Sequence, residues 1–282
     1  MVATPIGNLR DITLRAIEVL RSVESIAAED TRVTQKLLSQ HDVHAKLFAL
    51  HEHNERVAAT RLIASLAEGK SVALVSDAGT PGISDPGTVT VAKVREAGFR
   101  VVPIPGPNAA IAAIAAAGMP AVPFHFHGFL GAKKSDRETA LKQLVRQTGL
   151  MVFYEAPHRI LGSVESIAAV FGGERRIGIA RELTKVFEQV HVCRLAEASA
   201  WLQQDDNRRR GEFVLLVEGC SEDAVKEQED SLRVLGLLLD ELPLKQAVKL
   251  AAEISGARKN ELYQRALELK KERKASALTA SR

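Results

Sequence analysis

Short apolar runs alternate with amphipathic segments through the first half of the chain, and this alternation limits the folds available to it. Runs at 25–28, 47–50, 72–75 and 100–104 are separated by stretches in which apolar residues recur at helical spacing. Strands joined through helices need crossover connections, which favour parallel pairing. The pattern therefore predicts an α/β domain whose sheet is largely parallel and is covered by helices on both faces.

A second α/β domain is predicted after 118–123, where the sequence GMPAVP interrupts the alternation. Further strand-like runs follow this break, and the connections between 180 and 193 have the length of hairpins. Hairpin connections favour antiparallel pairing in this second sheet. We therefore place the two domains at residues 1–118 and 124–219.

The composition changes from Ser221, where an acidic polar stretch (SEDAVKEQED) precedes three segments with helical periodicity. The second and third segments, at 244–255 and 258–271, are separated by Gly256, and this spacing is compatible with helix-turn-helix geometry. A small helical module for packing or dimerisation would give the same pattern. We predict a helical, helix-turn-helix-like appendage at 230–272.

Composition limits the compartment and the ligands. The N-terminus lacks a basic region followed by an apolar one, and the apolar helical run at 109–117 is too short to span a bilayer. We therefore expect a cytoplasmic protein with no membrane partner. The two cysteines, Cys193 and Cys220, and the His-x-His pairs at 51–53 and 125–127 lack the spacing of a metal site, so no metal is predicted. The net charge of +3 permits a nucleic-acid partner.

Two loops follow predicted strands at the edge where α/β folds bind ligands. In the first, SDAGTPGISDPG at 76–87, Asp77 comes directly after the strand, and Gly79 lets the main chain approach a ligand closely. The second, PGPN at 105–108, leads into an alanine-rich segment whose small side chains allow close packing. Together the two loops favour a shared pocket.

The first loop also predicts where the next helix begins. Asp85 followed by Pro86 is a typical N-cap and first-turn pair, so we expect a helix at 86–97 that is capped by the Asp85 side chain.

The ligand class is narrowed by the motifs that are missing from the sequence. Neither G-x-x-x-x-G-K-[ST] nor a G-x-G-x-x-G after a strand occurs, and the two loops carry no lysine or arginine to hold phosphates. A ligand with a nucleoside and little phosphate charge fits such loops better. S-adenosylmethionine has this character.

Seven motifs in fixed order then relate the chain to a known family: TPIGNLRDIT, AAEDTR, LVSDAGTPGISDPG, PGPNAA, FYEAPHR, ARELTK and RRGEFVLLVEG. The chain resembles the tetrapyrrole-methylase superfamily and, within it, the methyltransferases of small-subunit ribosomal RNA. The helices in LPLKQAVKLAAEISGARKNELYQRAL resemble the appendage of those enzymes. Only three residues precede Thr4, where the family has several strand residues, so we expect either a shortened first strand or a sequence that begins late.

The resemblance implies a two-domain class III methyltransferase fold with a cofactor cleft between the α/β domains. It also implies S-adenosylmethionine-dependent methylation of the 2'-hydroxyl of a cytidine ribose in 16S ribosomal RNA. The partner would be this RNA or the small ribosomal subunit, and the expected form is a homodimer. A related methylase of a tetrapyrrole or a protein side chain, and a non-catalytic ribosome- or RNA-binding protein, stay open as alternatives.

The resemblance also implies which residues form the cofactor cleft, namely those at positions that match the family's motifs. The first-domain wall of the cofactor cleft is expected to contain Pro5, Asp77, Gly79, Pro81, Ile83, Pro105, Gly106, Asn108, Ala109 and Ala110. The second domain is expected to contribute Phe153, Tyr154, Leu183, Glu212 and Val214.

A ribose hydroxyl is a poor nucleophile while it is protonated, so a base or a nearby cation should assist its attack. Glu29, Asp30 and Glu155 are candidates, but the cluster of Arg181, Glu182 and Lys185 in ARELTK combines a carboxylate with cations, and we assign catalysis to it. An ion-paired strand end would explain the same cluster. Expected phosphate contacts are Arg32, Lys36, Lys133, Lys134, Arg137, His158, Arg159 and Arg208 to Arg210. Aromatic residues make up 4% of the chain, so no base-stacking platform is apparent.

Overall fold

The computed structural model of the chain describes residues 1–257, 259–260, 262–267 and 269. The chain forms two compact units, Met1–Glu218 and a second unit that begins at Gly219. The first unit contains two sheets, each with its own hydrophobic core. Both predicted α/β segments therefore lie within one compact unit, and the boundary at 118–124 stays a prediction.

The first sheet is parallel, as predicted. Its strands are β1 (Ser25–Ala28), β2 (Lys46–Ala49) and β3 (Val72–Val75), in the order β2-β1-β3. Its helices are α1 (Leu14–Ser22), α2 (Thr31–Gln40), α3 (Glu55–Ala67) and α4 (Thr88–Glu96). Ile26 packs with Leu20 and Leu38 in one buried cluster, whereas Ala27 packs with Leu62 and Leu74 in another. Successive β1 residues thus serve cores on opposite faces, which is why the strand is continuously apolar.

The first residues of the chain extend this sheet beyond β3. The Val2 N–H donates to the Leu74 carbonyl (2.9 Å), and the Ile104 N–H donates to the Met1 carbonyl (2.8 Å). Val2 and Ile104 form a single parallel bridge. The predicted strand at 100–104 is wrong in extent, because of these residues only Ile104 forms a bridge, and Pro103 has no N–H to donate to a ladder.

The second sheet is mixed and mainly antiparallel, as predicted. Its order is β4-β5-β8-β6-β7, and the β4–β5 pair is parallel while the other pairs are antiparallel. The strands are β4 (Phe124–Phe129), β5 (Leu150–Glu155), β6 (Arg176–Arg181), β7 (Gln189–Arg194) and β8 (Phe213–Val217).

The two faces of this second sheet are covered differently. One face packs against α6 (Lys134–Gln143), α7 (Ile160–Phe171) and α8 (Leu195–Gln203) around the fully buried Phe153. The opposite face packs against α5 (Ala109–Ala117), whose Ala113 is fully buried together with Val152 and Leu216. Alanine side chains allow this helix to lie close to the strands.

The start of α4 differs from the prediction. The helix begins at Thr88 with Gly87 as its N-cap residue, and Gly87 has φ +134°. The Glu55 carboxylate accepts hydrogen bonds from the N–H groups of Gly87 (3.0 Å) and Thr90 (2.9 Å). Asp85 is therefore not the N-cap, because a buried carboxylate from α3 already satisfies these amides.

The second unit contains α9 (Glu222–Glu241) and α10 (Leu244–Ser255), joined through a short turn. Gly256 follows α10 in the left-handed conformation, and residues 259–260 and 262–267 are helical. The rest of the predicted third helix at 258–271, apart from 269, lies outside the described residues. A buried cluster that includes Leu235, Val248 and Ala266 gives the unit its own core. In the part of the chain that the structure describes, no helix is long and apolar enough to cross a bilayer.

Candidate active site

A cavity of about 310 Å³ lies where the two sheets of the first unit meet. This volume is within the usual range for small-molecule sites. Its first wall comes from the N-terminal half of the unit and consists of Ile6, Ala78, Gly79, Thr80, Ile83, Ser84, Asp85, Asn108 and Ala109. Its second wall consists of Phe129, Tyr154, Glu155, Ala156, Pro157, Leu183, Lys185, Glu212, Phe213 and Val214.

The first wall is built by hydrogen bonds between three loops. Thr4 and Gly79 exchange main-chain hydrogen bonds of 2.8 and 3.0 Å, and the Thr80 hydroxyl donates to the Pro107 carbonyl at 3.1 Å. Gly79 has φ +83°, a conformation that favours glycine. The loops at 76–87 and 105–108 are therefore joined into one surface, as the sequence suggested.

The start of α5 connects this wall to the second sheet. The Asn108 side chain caps the helix by accepting from the Ile111 N–H at 3.2 Å. The Ala110 N–H donates to the Tyr154 hydroxyl of β5 at 3.3 Å. This contact holds the helix N-terminus against the opposite wall of the cavity.

Four acidic residues lie in or next to the loop at 76–87: Glu29, Asp30, Asp77 and Asp85. The Asp77 N–H donates to the Glu29 carboxylate (3.2 Å), and the Asp30 N–H donates to the Asp77 carboxylate (2.9 Å). Burial, followed by the negative charges of Glu29 and Asp77, raises the pKa of Asp85 to about 6, although a hydrogen bond with Ser76 opposes the shift. Burial also raises the pKa of Glu29 and of Asp77.

Asp85 is the cavity-lining carboxylate that our reading of the sequence missed. Its position before Pro86 suggested a helix cap, whereas its side chain belongs to the cavity wall. The available signal was its place in the glycine-rich loop that follows β3, at the edge of the sheet where ligands bind.

The predicted catalytic cluster is an ion-paired strand end. Lys185 Nζ lies 2.9 Å from Glu182 Oε1 and 2.8 Å from Glu212 Oε2, and the Glu212 N–H donates to Glu182 Oε1 at 3.0 Å. Burial by itself would raise the pKa of Glu182, but hydrogen bonds from Lys185 and from the Glu212 N–H lower it. Burial by itself would lower the pKa of Lys185, but its hydrogen bonds to the Glu212 and Glu182 carboxylates raise it.

The members of this cluster differ in their access to the cavity. Lys185 lines it, whereas Arg181 is buried in β6 and donates to the Arg210 carbonyl at 3.4 Å. Glu182 has φ +50° and faces Gly211 at a distance that leaves no room for a Cβ there. The catalytic assignments of Arg181 and Glu182 thus stay predictions, without direct support from the cavity.

About half of the predicted cofactor residues line the cavity: Gly79, Ile83, Asn108, Ala109, Tyr154, Leu183, Glu212 and Val214. The others are neighbours in sequence that lie outside the lining: Pro5, Asp77, Pro81, Pro105, Gly106, Ala110 and Phe153. The Phe153 ring is fully buried and stacks on His127, so its side chain belongs to the core of the second sheet. Gly106 packs against Ala3.

One predicted phosphate contact, Arg137, and one candidate general base, Glu155, are buried and bonded to neighbouring protein groups. The Arg137 guanidinium is buried and donates to the carbonyls of Ala132 (2.8 Å) and Gly162 (3.3 Å), so the prediction that it contacts phosphate is wrong. The Glu155 carboxylate is buried in an ion pair with Arg159 (2.7 Å) and accepts from the Ser163 hydroxyl at 2.5 Å. Its hydrogen-bonding capacity is therefore taken up by neighbours. Among the described residues, no group of three or more His, Cys, Asp or Glu side chains could hold a metal ion.

Comparison with protein families decides the relationship. A sequence profile of the tetrapyrrole (corrin/porphyrin) methylases matches residues 1–199 of the 282. The chain belongs to the tetrapyrrole methylase family. A second profile, described as the RsmI C-terminal HTH domain, matches residues 225–270 of this methylase.

Within the family, this tetrapyrrole methylase is similar in sequence to several relatives that share one name. It is 54% identical over 268 residues to ribosomal RNA small subunit methyltransferase I of Escherichia coli O157:H7, with 95% of this chain and 94% of the relative covered. It is 51% identical over 270 residues to the protein of the same name from Vibrio cholerae serotype O1, with 95% and 93% covered. The resemblance stated from the motifs is confirmed.

Solved structures confirm the fold class. The structure of a cobalt precorrin-4 methyltransferase superposes with a TM-score of 0.58 at 14% identity and covers 77% of this tetrapyrrole methylase and 92% of its own chain. That of a diphthine synthase gives 0.56 at 18% identity and covers 77% and 88%. At these identities the likeness shows the fold alone.

Proposed function

We propose that this tetrapyrrole methylase transfers the methyl group of S-adenosylmethionine to the 2'-hydroxyl of a cytidine ribose in 16S ribosomal RNA. The observation that carries the proposal is the 54% identity over nearly the whole chain to ribosomal RNA small subunit methyltransferase I. The cavity adds independent support, since it is of nucleoside size and is built from the two glycine- and proline-containing loops. The small ribosomal subunit is the proposed partner, a homodimer the proposed form and the cytoplasm the proposed location.

The cavity fits the methyl donor chemically. Lys185 is the only positively charged side chain among the described residues that line the cavity, and it is already paired with Glu182 and Glu212. The carboxylates of Asp85, Glu29 and Asp77 lie close together, and their negative charge suits a positively charged ligand more than a phosphate. S-adenosylmethionine supplies an electrophilic methyl group on a sulfonium. Gly79, Asn108 and Tyr154 would hold this donor between the two walls.

We assign proton transfer to Asp85. Methylation forms a bond from the ribose oxygen to the methyl carbon, breaks the bond from that carbon to the sulfonium sulfur so that S-adenosylhomocysteine leaves, and releases the hydroxyl proton. The ionised Asp85 carboxylate can accept that proton, and its pKa of about 6 keeps it mainly ionised at neutral pH while it remains a stronger base than an ordinary aspartate. Ile6, Ile83 and Leu183 line the same cavity and make part of its wall apolar.

Incubation with labelled S-adenosylmethionine tests the activity. Wild-type protein is given naked 16S ribosomal RNA, isolated small subunits or transfer RNA, and the methyl group is then mapped. We expect label on one ribose of the small-subunit RNA. Label on a base, on a protein side chain or on a tetrapyrrole, or no label in any RNA, would contradict the proposal.

The rate of methyl transfer should rise with pH and level off above about pH 7. Because Asp85 has a pKa of about 6, only about one tenth of it is ionised at pH 5, so the rate there should be about tenfold below that at pH 8. The measurement is kcat across this range with saturating donor and RNA. Donor affinity and circular dichroism at pH 5 check that the protein remains folded. A rate that is flat from pH 5 to 8 would exclude an acceptor with this pKa.

Lys185→Met is expected to lower the rate about tenfold while S-adenosylmethionine still binds, because it removes the one cluster cation that reaches the cavity. Lys185→Arg, which keeps the charge, serves as the control. Arg181→Ala should instead mainly lower stability, since the Arg181 side chain is buried in β6. If Lys185→Met, Glu182→Ala and Arg181→Ala all keep the wild-type rate, the cluster has no part in catalysis.

A further inference from the structure

The loop that joins β6 to β7, residues 182–188, exposes two adjacent large apolar side chains. Val186 is 93% exposed and Phe187 is 71% exposed. Single exposed apolar residues are common on protein surfaces, but an adjacent pair that includes an aromatic ring is a feature that requires an explanation. We refer to Val186 and Phe187 as the loop tip.

The backbone below the loop tip is held in place by hydrogen bonds within the loop. The Lys185 N–H donates to the Glu182 carbonyl (3.0 Å), and the Glu188 N–H donates to the Lys185 carbonyl (3.1 Å). The Glu188 carboxylate in turn accepts from the Thr184 N–H at 2.6 Å. Glu182 and Thr184 have φ values of +50° and +66°, which non-glycine residues adopt only when their surroundings impose them. The exposure of the tip is therefore a property of a defined conformation.

The loop is also fixed against the segment that follows Ile6. The Asn8 N–H donates to the Thr184 hydroxyl at 3.0 Å. A Cβ on Gly7 would lie 2.6 Å from Lys185 Cγ and 2.8 Å from Thr184 Oγ1, so the approach requires a glycine. Lys185 is held from the other side by its two carboxylate partners. The residues that precede the loop tip, Thr184 and Lys185, are therefore held by contacts with the segment at 7–8 and with the two carboxylates that pair with Lys185.

The loop tip is directly continuous with the cavity. Leu183 and Lys185 line the cavity, and the tip begins at the next residue along the chain. Arg10, which is exposed two residues after Asn8, adds a positive charge to the segment that contacts this loop. An apolar, aromatic tip that directly follows two cavity-lining residues has the composition of a surface for unpaired nucleotides.

We infer that the loop tip contacts the RNA substrate and that the Phe187 ring stacks on an unpaired base beside the nucleotide that is methylated. The inference rests on the proposed function. A ribose that enters the cavity must leave its base stack, and this exposes the face of a neighbouring base. An aromatic side chain can replace the lost stacking partner whatever the base, because every base has a π-face.

A second copy of the chain is a weaker candidate for the occupant. Stable protein interfaces bury about 1,200 Å² or more in total, and two side chains on one loop supply only a small part of that area. The test includes the oligomeric state, so that a dimer contact would be recognised.

The test compares Phe187→Ala with Phe187→Trp, which keeps an aromatic ring, and with Val57→Ala, which shortens another exposed side chain on α3. We expect Phe187→Ala to raise KM for small-subunit RNA about tenfold, with kcat and the Kd of S-adenosylmethionine unchanged. Phe187→Trp and Val57→Ala should behave like the wild type. Light scattering should give the same mass for all four proteins.

Two results would overturn the inference. One is an unchanged KM in Phe187→Ala while the wild type methylates RNA, which would leave the proposed function intact. The other is a change in mass in Phe187→Ala, which would assign the tip to an interface between copies. A wild-type protein that binds S-adenosylmethionine but methylates no RNA would instead refute the proposed function itself.

Discussion

Asp85→Asn is expected to lower the rate of methyl transfer by about 10² to 10³-fold while S-adenosylmethionine still binds. Asparagine has nearly the size and shape of aspartate, but its amide cannot accept the proton that the ribose hydroxyl releases. Asp85 belongs to the cavity wall, and its pKa of about 6 is suited to a base at neutral pH. The measurement is a single-turnover assay with labelled donor, together with calorimetry of donor binding.

The same substitution should stabilise the folded protein at pH 8. Burial and the charges of Glu29 and Asp77 raise the pKa of Asp85 above its ordinary value of 3.8, so the folded state favours the protonated carboxyl. This stabilisation is fully present below about pH 4 and is lost as the pH rises through about 6. Two pKa units correspond to about 3 kcal/mol, and partial exposure to solvent reduces the expected gain of the asparagine variant to about 1 kcal/mol.

Thermal melts at two pH values provide the control. The gain in melting temperature should appear at pH 8 and vanish near pH 3, where the wild-type carboxyl is mainly protonated in both states. Loss of activity together with a gain in stability is typical of a functional residue held in an unfavourable environment. A variant with less than threefold loss of rate, or one that is less stable at pH 8, would show that Asp85 is not the proton acceptor.

Gly79→Val is expected to weaken the binding of S-adenosylmethionine by about 100-fold or more, while the affinity for RNA changes little. Gly79 has φ +83°, which a β-branched residue adopts only at a large cost. A Cβ there would meet only ordinary contacts, at 3.5 Å from Ile6 Cγ2 and 3.8 Å from the Pro107 carbonyl. The damage should therefore come from the backbone, because the paired hydrogen bonds to Thr4 break when the loop changes conformation.

Gly69→Val is the matched control for this effect. Gly69 follows α3 with φ +80° and has no atom within 4 Å of a built Cβ, so the variant carries similar backbone strain away from the cavity. It should lose stability and retain donor affinity, as measured by calorimetry. Equal donor affinity in Gly79→Val and Gly69→Val would mean that the loop at 76–87 does not bind the donor.

The sheets could be predicted from the sequence because their information is local. The run at 72–75 is apolar and bounded by turn residues, and it forms β3 as expected. The run at 100–104 (RVVPI) also contains β-branched residues, yet it forms one bridge, at Ile104, because Pro103 cannot donate a hydrogen bond to a ladder. Pairing between residues a hundred positions apart leaves no periodic signal in either segment.

The site could be predicted only in part, for the same reason. Glycines and prolines in the loop at 76–87 predicted that it would line a cavity, and Gly79 and Ile83 do line it. Asp85 was interpreted as a helix cap because nothing in its neighbourhood reveals that Glu55, thirty residues earlier, already caps α4. The sequence predicts Arg137 as a phosphate contact because nothing near it reveals its carbonyl partners at Ala132 and Gly162.

Helix α5 has a consequence for how the first unit unfolds. The helix continues from the loop at 105–108, which belongs to the first wall of the cavity, but its own buried face completes the core of the second sheet. A fragment that ends at 118 would carry α5 without the strands that cover it, and the remaining fragment would lose one layer of its core. Residues 1–218 should therefore unfold in a single calorimetric transition, and proteolysis in the connection after α5 should release no fragment that stays folded.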